Sequence, residues 1–486
     1  MDFGLDRITV EIPAFSEWRV ETSKSSTMTL QLESGTAEIF GTELSPNISY
    51  VFNDSMKFAV ATYQGCKISY TTTHSVDSEY ISDETILKQI LNLHYAIENL
   101  AKNKRSRILI VGPKDCGKTS MARTLTSYAL KTSEKQPFLI NLNPKLPHFS
   151  ISSQLTAVKV HDSLDAESTT LGETFTTGPG TGIYRSQIPL VKNFGLENFD
   201  ENLELYRCLI SELAEVVESK ISASSTDSGT VIVDTPPLNV SNWKLIQHIV
   251  DSFHINLILV VGNERLLVDL RKKLTLPEDL SMIKMPRSSG CIEKEPKYER
   301  DLQQRAIRQY FYGVERSQLN PYTLHCSIKD FVFLKPLQVD STVTDFLDFI
   351  SGDAEDDDSI RPKVEDEDDY DPLKGNSSKV VSKPNFKYDS MFERVSDPKE
   401  MDLANVILSI IDDTSIDLVK LMTNTKSSDQ EKLIELTKQV VSKSVLGFAY
   451  VAGCDDATGK LKLLIPSPVS SMPGKILIIT QMRYHE

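Results

Sequence analysis

The segment Gly112-Pro-Lys-Asp-Cys-Gly117-Lys118-Thr119 matches G-x-x-x-x-G-K-[ST] in full, and it constrains the chain around it more than any other feature. Its glycines let the backbone approach a phosphate chain, and N–H groups at the start of the following helix face the anion. Lys118 is placed to reach the β and γ oxygens, and Thr119 to ligate magnesium. Such a loop works between a buried strand and a helix. Ile108-Leu-Ile-Val111 reads as the strand, and a helix from Thr119 to Lys131 would turn Met121, Leu125, Tyr128 and Ala129 toward the sheet. The first expectation is therefore nucleotide binding.

Further short apolar runs, Phe138–Leu142, Val231–Val233 and Leu257–Val261, alternate with helical stretches and imply a parallel sheet covered on both faces. Leu203, Tyr206, Leu209, Ile210, Leu213, Val216 and Val217 fall at helical spacing and read as core. A second magnesium carboxylate belongs at the end of a neighbouring strand, where Asp234 follows Val231-Ile-Val233. Guanine readers carry N/T-K-x-D after a later strand. Here Gly262-Asn-Glu-Arg-Leu266 has neither the lysine nor the aspartate, so GTP is disfavoured. Nucleotide switches use an Asp-x-x-Gly N–H on the γ-phosphate, but Pro237 occupies that glycine's place and has no N–H to donate.

At 486 residues the chain is long enough for about three domains. Strand-like runs from Ile8 to Tyr70, about ten residues apart, predict a β-sandwich. A helix follows with Ile86, Ile90, Leu93, Ile97 and Leu100 on one face. After Gln318 the chain returns to strand-like runs, among them Leu446–Val451, Leu461–Ile465 and Lys475–Thr480. The expected fold class is multidomain α/β: a central P-loop NTPase-type parallel sheet flanked by an N-terminal β-sandwich and a C-terminal α+β domain. The expected boundaries are 1–100, 101–317 and 318–486, with a disordered acidic insert at about 351–390. Between Asp353 and Asp371 stand eleven acidic residues against two basic ones, which accounts for −9 of the net charge of −15 and leaves only −6 elsewhere. The acidity thus says little about the nucleotide site, while it argues against a protein that coats nucleic acid directly. The window Lys284 to Arg316, with eight basic and five acidic residues, would give only modest, salt-sensitive RNA affinity. Six scattered cysteines suggest free thiols, and neither a membrane span nor a secretory leader is expected.

Several segments taken together carry a resemblance: Ile39–Leu44, the loop at 112–120, Ile140-Asn-Leu-Asn-Pro144, Leu190–Glu197, Val233-Asp-Thr-Pro236, Ile307–Gly313, Leu446-Gly-Phe-Ala449 and Leu464–Pro468. They resemble the P-loop subunits of the fungal pre-mRNA cleavage and polyadenylation factor IA, relatives of the polynucleotide 5′-hydroxyl kinases. That resemblance implies ATP with Mg2+ in the central domain, the N-terminal domain closing over the base, and a nuclear location. It maps the adenine-side contacts onto Glu17 and Lys57, which composition alone would leave as surface residues of strands, and the loop contacts onto Asp115, Cys116, Gly117, Lys118, Thr119 and Ser120.

Active relatives place a carboxylate after the second strand to accept the RNA 5′-hydroxyl proton. This chain has Asn143 there, and an amide takes no proton at neutral pH. The resemblance therefore implies a catalytically silent ATP-binding scaffold for mRNA 3′-end processing. It also implies binding to other subunits of the cleavage factor, including the scaffold subunit that binds the RNA polymerase II C-terminal domain, and contact with pre-mRNA mainly through those partners. The alternative is an active RNA 5′-hydroxyl kinase that uses Asp162 or Asp165 as base. Arg300, Arg305 and Arg308 are the expected cations of its lid, and Gln303 and Gln304 weaken it.

Overall fold

The computed structural model describes residues 6–101, 105–132, 136–168, 170–171, 189–223, 228–275, 277, 280–314, 317–339, 386–418, 428–469 and 471–485. The acidic run from Asp353 to Asp371 lies outside the described residues.

Two antiparallel sheets form the N-terminal sandwich. One has the order Ile8–Ile12, Cys66–Thr72, Thr27–Gly35, Ser49–Asn53, and the other the order Thr42–Glu43, Glu38–Ile39, Lys57–Thr62, Ser16–Glu21, Ser78–Ser82. Trp18, Met28, Leu30, Phe52, Val60, Ile68 and Tyr70 fill the space between them. The strand Ser16–Glu21 escapes the alternation rule because both of its faces are covered. Trp18 and Val20 enter the core, while Glu17 and Arg19 are buried on the opposite face. The bridging helix Leu87–Ala101 buries Leu87, and packs Ile90, Leu93 and Ile97 in one cluster with Met121, Leu125 and Tyr128. Leu100, expected on the same face, is 52% exposed in the last turn.

The central sheet runs Leu190–Asn193, Gln154–Lys159, Gln136–Asn141, Ser228–Asp234, Arg107–Val111, Leu257–Val261, Ser281–Met285. Its last five strands are parallel, as the apolar runs predict. The first two add antiparallel pairings, which makes the sheet mixed. Those two strands carry Gln154, Thr156, Lys192 and Asn193 and so lack an apolar signature, yet all four side chains are buried, and Lys192 and Asn193 bond to the C-terminal domain. Helices Lys118–Thr132, Leu203–Ala223, Trp243–Phe253 and Glu264–Lys273 cover the two faces. In Leu203–Ala223 the expected stripe holds at Tyr206, Leu209, Ile210, Leu213 and Val217, while Leu203 is exposed.

The C-terminal sheet has the order Tyr322–Ser327, Lys460–Ile465, Val445–Asp455, Val406–Ile411, Ile476–Arg483, Val332–Pro336, Phe392–Val395, with helix Asp429–Ser442 packed beside it. Phe392–Val395 pairs antiparallel with Val332–Pro336. Phe386 and Tyr388, at the margin of the acidic insert, pack into the same core, and Asn202 Nδ2 donates to Ser390 O at 2.8 Å.

Polar joints tie the C-terminal domain to the centre. Lys192, 1% exposed, donates from Nζ to the carbonyls of Val441, Ser442 and Lys443 at 3.2, 2.6 and 3.2 Å, closing the C-terminus of helix Asp429–Ser442. Gln481 Nε2 donates to Glu201 at 2.5 Å, while its Oε1 accepts from the Glu197 N–H at 2.6 Å. No helix among the described residues is long and apolar enough to cross a membrane.

Candidate functional site

A cleft of about 480 Å3 opens between the N-terminal sandwich and the central sheet, with the glycine-rich loop as its floor. The loop leaves the end of strand Arg107–Val111 and turns into helix Lys118–Thr132. Gly117 sits at φ +94°, and a Cβ there would stand 2.9 Å from Cys291 Sγ, so both conformation and space require glycine. Lys118 donates from Nζ to Gly112 O at 3.0 Å and to Pro113 O at 2.7 Å, an ammonium folded back onto the loop it would leave for a phosphate. Asp115 Oδ2 accepts from the Lys294 N–H at 3.0 Å, and Lys114 pairs with Glu299 at 2.8 Å, which anchors the loop to the segment that roofs it.

Beneath the loop, Thr119 Oγ1 donates to Asp234 Oδ2 at 2.6 Å. Asp234 is 1% exposed and its second oxygen, Oδ1, is buried with no hydrogen-bond partner among the described residues. Burial pushes its carboxyl above the usual range, against the pull of the Thr119 hydroxyl and the Lys118 ammonium. A buried carboxylate oxygen with nothing to accept, beside a threonine hydroxyl at a phosphate loop, is the donor set a hard divalent cation takes. The residues fit magnesium.

The roof is the polar face of Ser16–Glu21 and its neighbours. Glu17 pairs with Arg19 at 3.0 Å, and Arg19 continues to Glu84 O and Ser289 Oγ, both at 3.0 Å. Lys57 pairs with Glu21 at 3.0 Å and lies over the Tyr298 ring at 5.6 Å. The wall beyond the loop carries Asn143 in a tight polar turn. Its N–H donates to Asn141 Oδ1 at 3.0 Å, and its Oδ1 accepts from the Lys145 N–H at 3.2 Å. His148 lines the same wall. Its imidazole is held neutral, with a pKa lowered to about 3, first by burial and then by the Arg123 and Lys294 charges. Arg123 is itself depressed to about 10 by burial, and its Nε has no partner.

Glu17, Lys57, Asp115, Cys116, Gly117, Lys118, Thr119, Ser120 and Asn143 thus line one cleft, with Asp234 directly under Thr119. The expected alternative bases do not join them: neither Asp162 nor Asp165 lines the cleft. The lid arginines also fall elsewhere. Arg300 and Arg308 are exposed on helix Pro296–Tyr312, and Arg305 turns to Ser55 O and Asp54 of the sandwich. Gln303 and Gln304 face inward on that helix, Gln303 to Glu197 within the central domain at 3.3 Å and Gln304 to Arg483 O of the C-terminal domain at 2.6 Å. The cation of this segment that does line the cleft is Lys294, just before the helix. Sequence reasoning missed Lys294, Arg19, Arg123 and His148. Arg19 alternates with Glu17 on one strand face, and Arg123 follows Thr119 by one helical turn, so periodicity carried a signal for both. Nothing local marks His148.

Three family profiles tile the chain: the N-terminal beta-sandwich domain of polyadenylation factor over residues 11–104, the mRNA cleavage and polyadenylation factor CLP1 P-loop over 112–313, and the pre-mRNA cleavage complex II protein Clp1 over 319–486. The chain belongs to the CLP1 family. Among its relatives, the mRNA cleavage and polyadenylation factor CLP1 of Debaryomyces hansenii is 34% identical over 98% of this chain and 95% of its own. The protein of the same name from Scheffersomyces stipitis is 30% identical over 99% and 95%. Two solved structures superpose over 99% of both chains. One is wild-type Clp1p in complex with Pcf11p residues 454–563, at TM-score 0.78 and 27% identity. The other is a Clp1p structure describing an extended interface with Pcf11p and the basis of ATP loss in a glycine-to-arginine point mutant, at 0.77 and 26%. CLP1 membership agrees with the resemblance carried by the motifs and with the three-domain architecture.

Proposed function

We propose that this CLP1-family chain is a nuclear scaffold subunit of the mRNA 3′-end cleavage factor that holds ATP with Mg2+ between its first two domains and does not transfer the γ-phosphate. In this reading residues 1–100, 101–317 and 318–486 act as roof, nucleotide platform and brace. Lys118 and the loop amides of 115–120 hold the phosphates, Thr119 and Asp234 hold magnesium, and Glu17 and Lys57 meet the adenine side. Magnesium supplies charge neutralisation at the β and γ oxygens. Lys294 adds a cation from the roofing segment.

The observation that carries the silent reading is Asn143. By the resemblance it stands where active relatives carry a proton acceptor, an amide takes no proton at neutral pH, and its oxygen accepts from the Lys145 N–H. The neighbouring imidazole of His148 is too weak a base to substitute, with its pKa near 3. Asp162 and Asp165 do not line the cleft, which weighs against the kinase alternative.

A nucleotide that binds the folded chain without being consumed stabilises it by RT ln(1 + [L]/Kd), about 4 kcal/mol when ATP stands a thousandfold above Kd. That is enough to keep roof and platform closed and present one face to partners. The Clp1p–Pcf11p complexes support a Pcf11-type subunit as the partner that docks there. RNA contact then comes mainly through the partners. The test is the double variant Lys118→Ala with Thr119→Ala, compared with wild type for bound nucleotide and for affinity toward a Pcf11 segment. Loss of both supports the scaffold, and unchanged partner affinity in the emptied protein contradicts it.

A further inference from the structure

Strand register places a second carboxyl beside Glu17 in the roof. Glu17 stands directly opposite Ala61 in one antiparallel pairing, and Glu38 stands opposite the same Ala61 in the next, so the three residues form one row across three strands. All three line the cleft. Alanine between two glutamates leaves a notch with a carboxyl on each side.

Each carboxyl has one oxygen engaged. Glu17 Oε2 accepts from Arg19 Nε at 3.0 Å, and Glu38 Oε1 accepts from Tyr128 Oη at 2.6 Å, with Tyr63 Oη 2.7 Å further along. For Glu17 Oε1 and Glu38 Oε2 no hydrogen bond is recorded among the described residues. The ion pair with the Arg19 guanidinium leaves Glu17 as the acceptor of the row. Glu38 is surrounded differently. Burial pushes its carboxyl up to about 7, opposed by the Tyr128 hydroxyl and Lys131 and assisted by Glu43 and Glu17. Lys131 is largely spent on Glu43. The row thus offers an acceptor and a donor side by side.

We propose that Glu38 is a specificity-determining contact to the nucleoside: with Glu17 it forms a two-carboxyl clamp on an adenine edge, Glu38 donating to a ring nitrogen and Glu17 accepting from the exocyclic amine. The inference rests on the reading of the cleft as an ATP site.

The experiment measures, by calorimetry on the full chain, the affinities of ATP, 2′-deoxy-ATP and inorganic tripolyphosphate at pH 6 and 8.5 for wild type, Glu38→Gln and Glu38→Ala. Tripolyphosphate carries the phosphate titration without a base. Wild type should lose roughly tenfold in ATP affinity relative to tripolyphosphate between pH 6 and 8.5, because the donor is present below about 7 and lost above it. Glu38→Gln, which donates at both pH values, should flatten that ratio. Glu38→Ala should lose on the order of tenfold for ATP and none for tripolyphosphate. A pH-independent ratio in wild type overturns the proposal. So does an equal loss of ATP and tripolyphosphate in Glu38→Ala, which would make Glu38 only a latch to Tyr128. A loss in Glu38→Ala that spares 2′-deoxy-ATP also overturns it, since the contact would then be to the ribose. Wild type that binds neither ATP nor tripolyphosphate defeats the ATP reading itself, whatever Glu38 does.

Discussion

Replacing Asp234 by asparagine should move the empty and the loaded protein in opposite directions. In the empty protein the carboxylate is 1% exposed, Oδ1 has no partner, and the net surroundings disfavour its charge. An isosteric amide keeps an acceptor for Thr119 Oγ1 and removes the charge, but it leaves an NH2 without an acceptor in the same spot. An unsatisfied buried neutral group costs about 1–3 kcal/mol and a charged one more, so the net gain is small, about 1 kcal/mol. In the loaded protein the same change removes a magnesium ligand. Disturbing a metal site at this level typically costs 10- to 100-fold in affinity. At an ATP·Mg concentration a thousandfold above the wild-type Kd, a 100-fold loss reduces ligand stabilisation from about 4.1 to about 1.4 kcal/mol. Urea midpoints with and without ATP·Mg read both effects: Asp234→Asn should unfold slightly later than wild type when empty and clearly earlier when loaded. A variant that is less stable when empty, yet still gains the full ligand shift, would refute the assignment of Asp234 as an under-compensated magnesium ligand.

Lys192 gives a pH test. Burial lowers its pKa to about 8, whereas an unfolded lysine titrates near 10.4, so between those values the unfolded chain holds more protons and stability rises with pH. Lys192→Met should abolish that rise and, by removing the donor shared by three carbonyls at the end of helix Asp429–Ser442, lower stability at pH 7 by about 2 kcal/mol, read from urea midpoints across pH 7 to 10. Asn143→Asp returns a carboxylate to the acceptor wall. γ-label transfer to 5′-hydroxyl RNA should rise by about 10²- to 10⁴-fold over the native background, and no rise would mean that the missing base is not what silences the cleft.

The nucleotide platform was legible in the sequence because its parts are local: a five-residue apolar strand, a loop of fixed spacing and an amphipathic helix. Asp234 was equally local, directly after a β-branched run. The roof was not. Ser16-Glu-Trp-Arg-Val-Glu21 places its charges on the face that lines the cleft, so alternation marks a strand turned the wrong way, and Glu17 and Lys57 came only through resemblance. The edge strands Gln154–Lys159 and Leu190–Asn193 were hidden for a related reason. Their buried Lys192 and Asn193 bond to the C-terminal domain, a partner some 200 residues away in sequence, and Gln154 donates to Asn193. The lid was misplaced because helical spacing marks which arginines share a face, but not whether that face meets the cleft. Arg305 turns to Asp54, and Lys294, outside the helix, lines the cleft.

The central claim is that the cleft keeps ATP and leaves it intact. The direct measurement is to denature freshly purified protein, identify and count the nucleotide released, and then incubate native protein with γ-labelled ATP and 5′-hydroxyl RNA. The account predicts ATP in near-stoichiometric amount and no label on RNA. Label on RNA, or bound ADP with free phosphate, would contradict it.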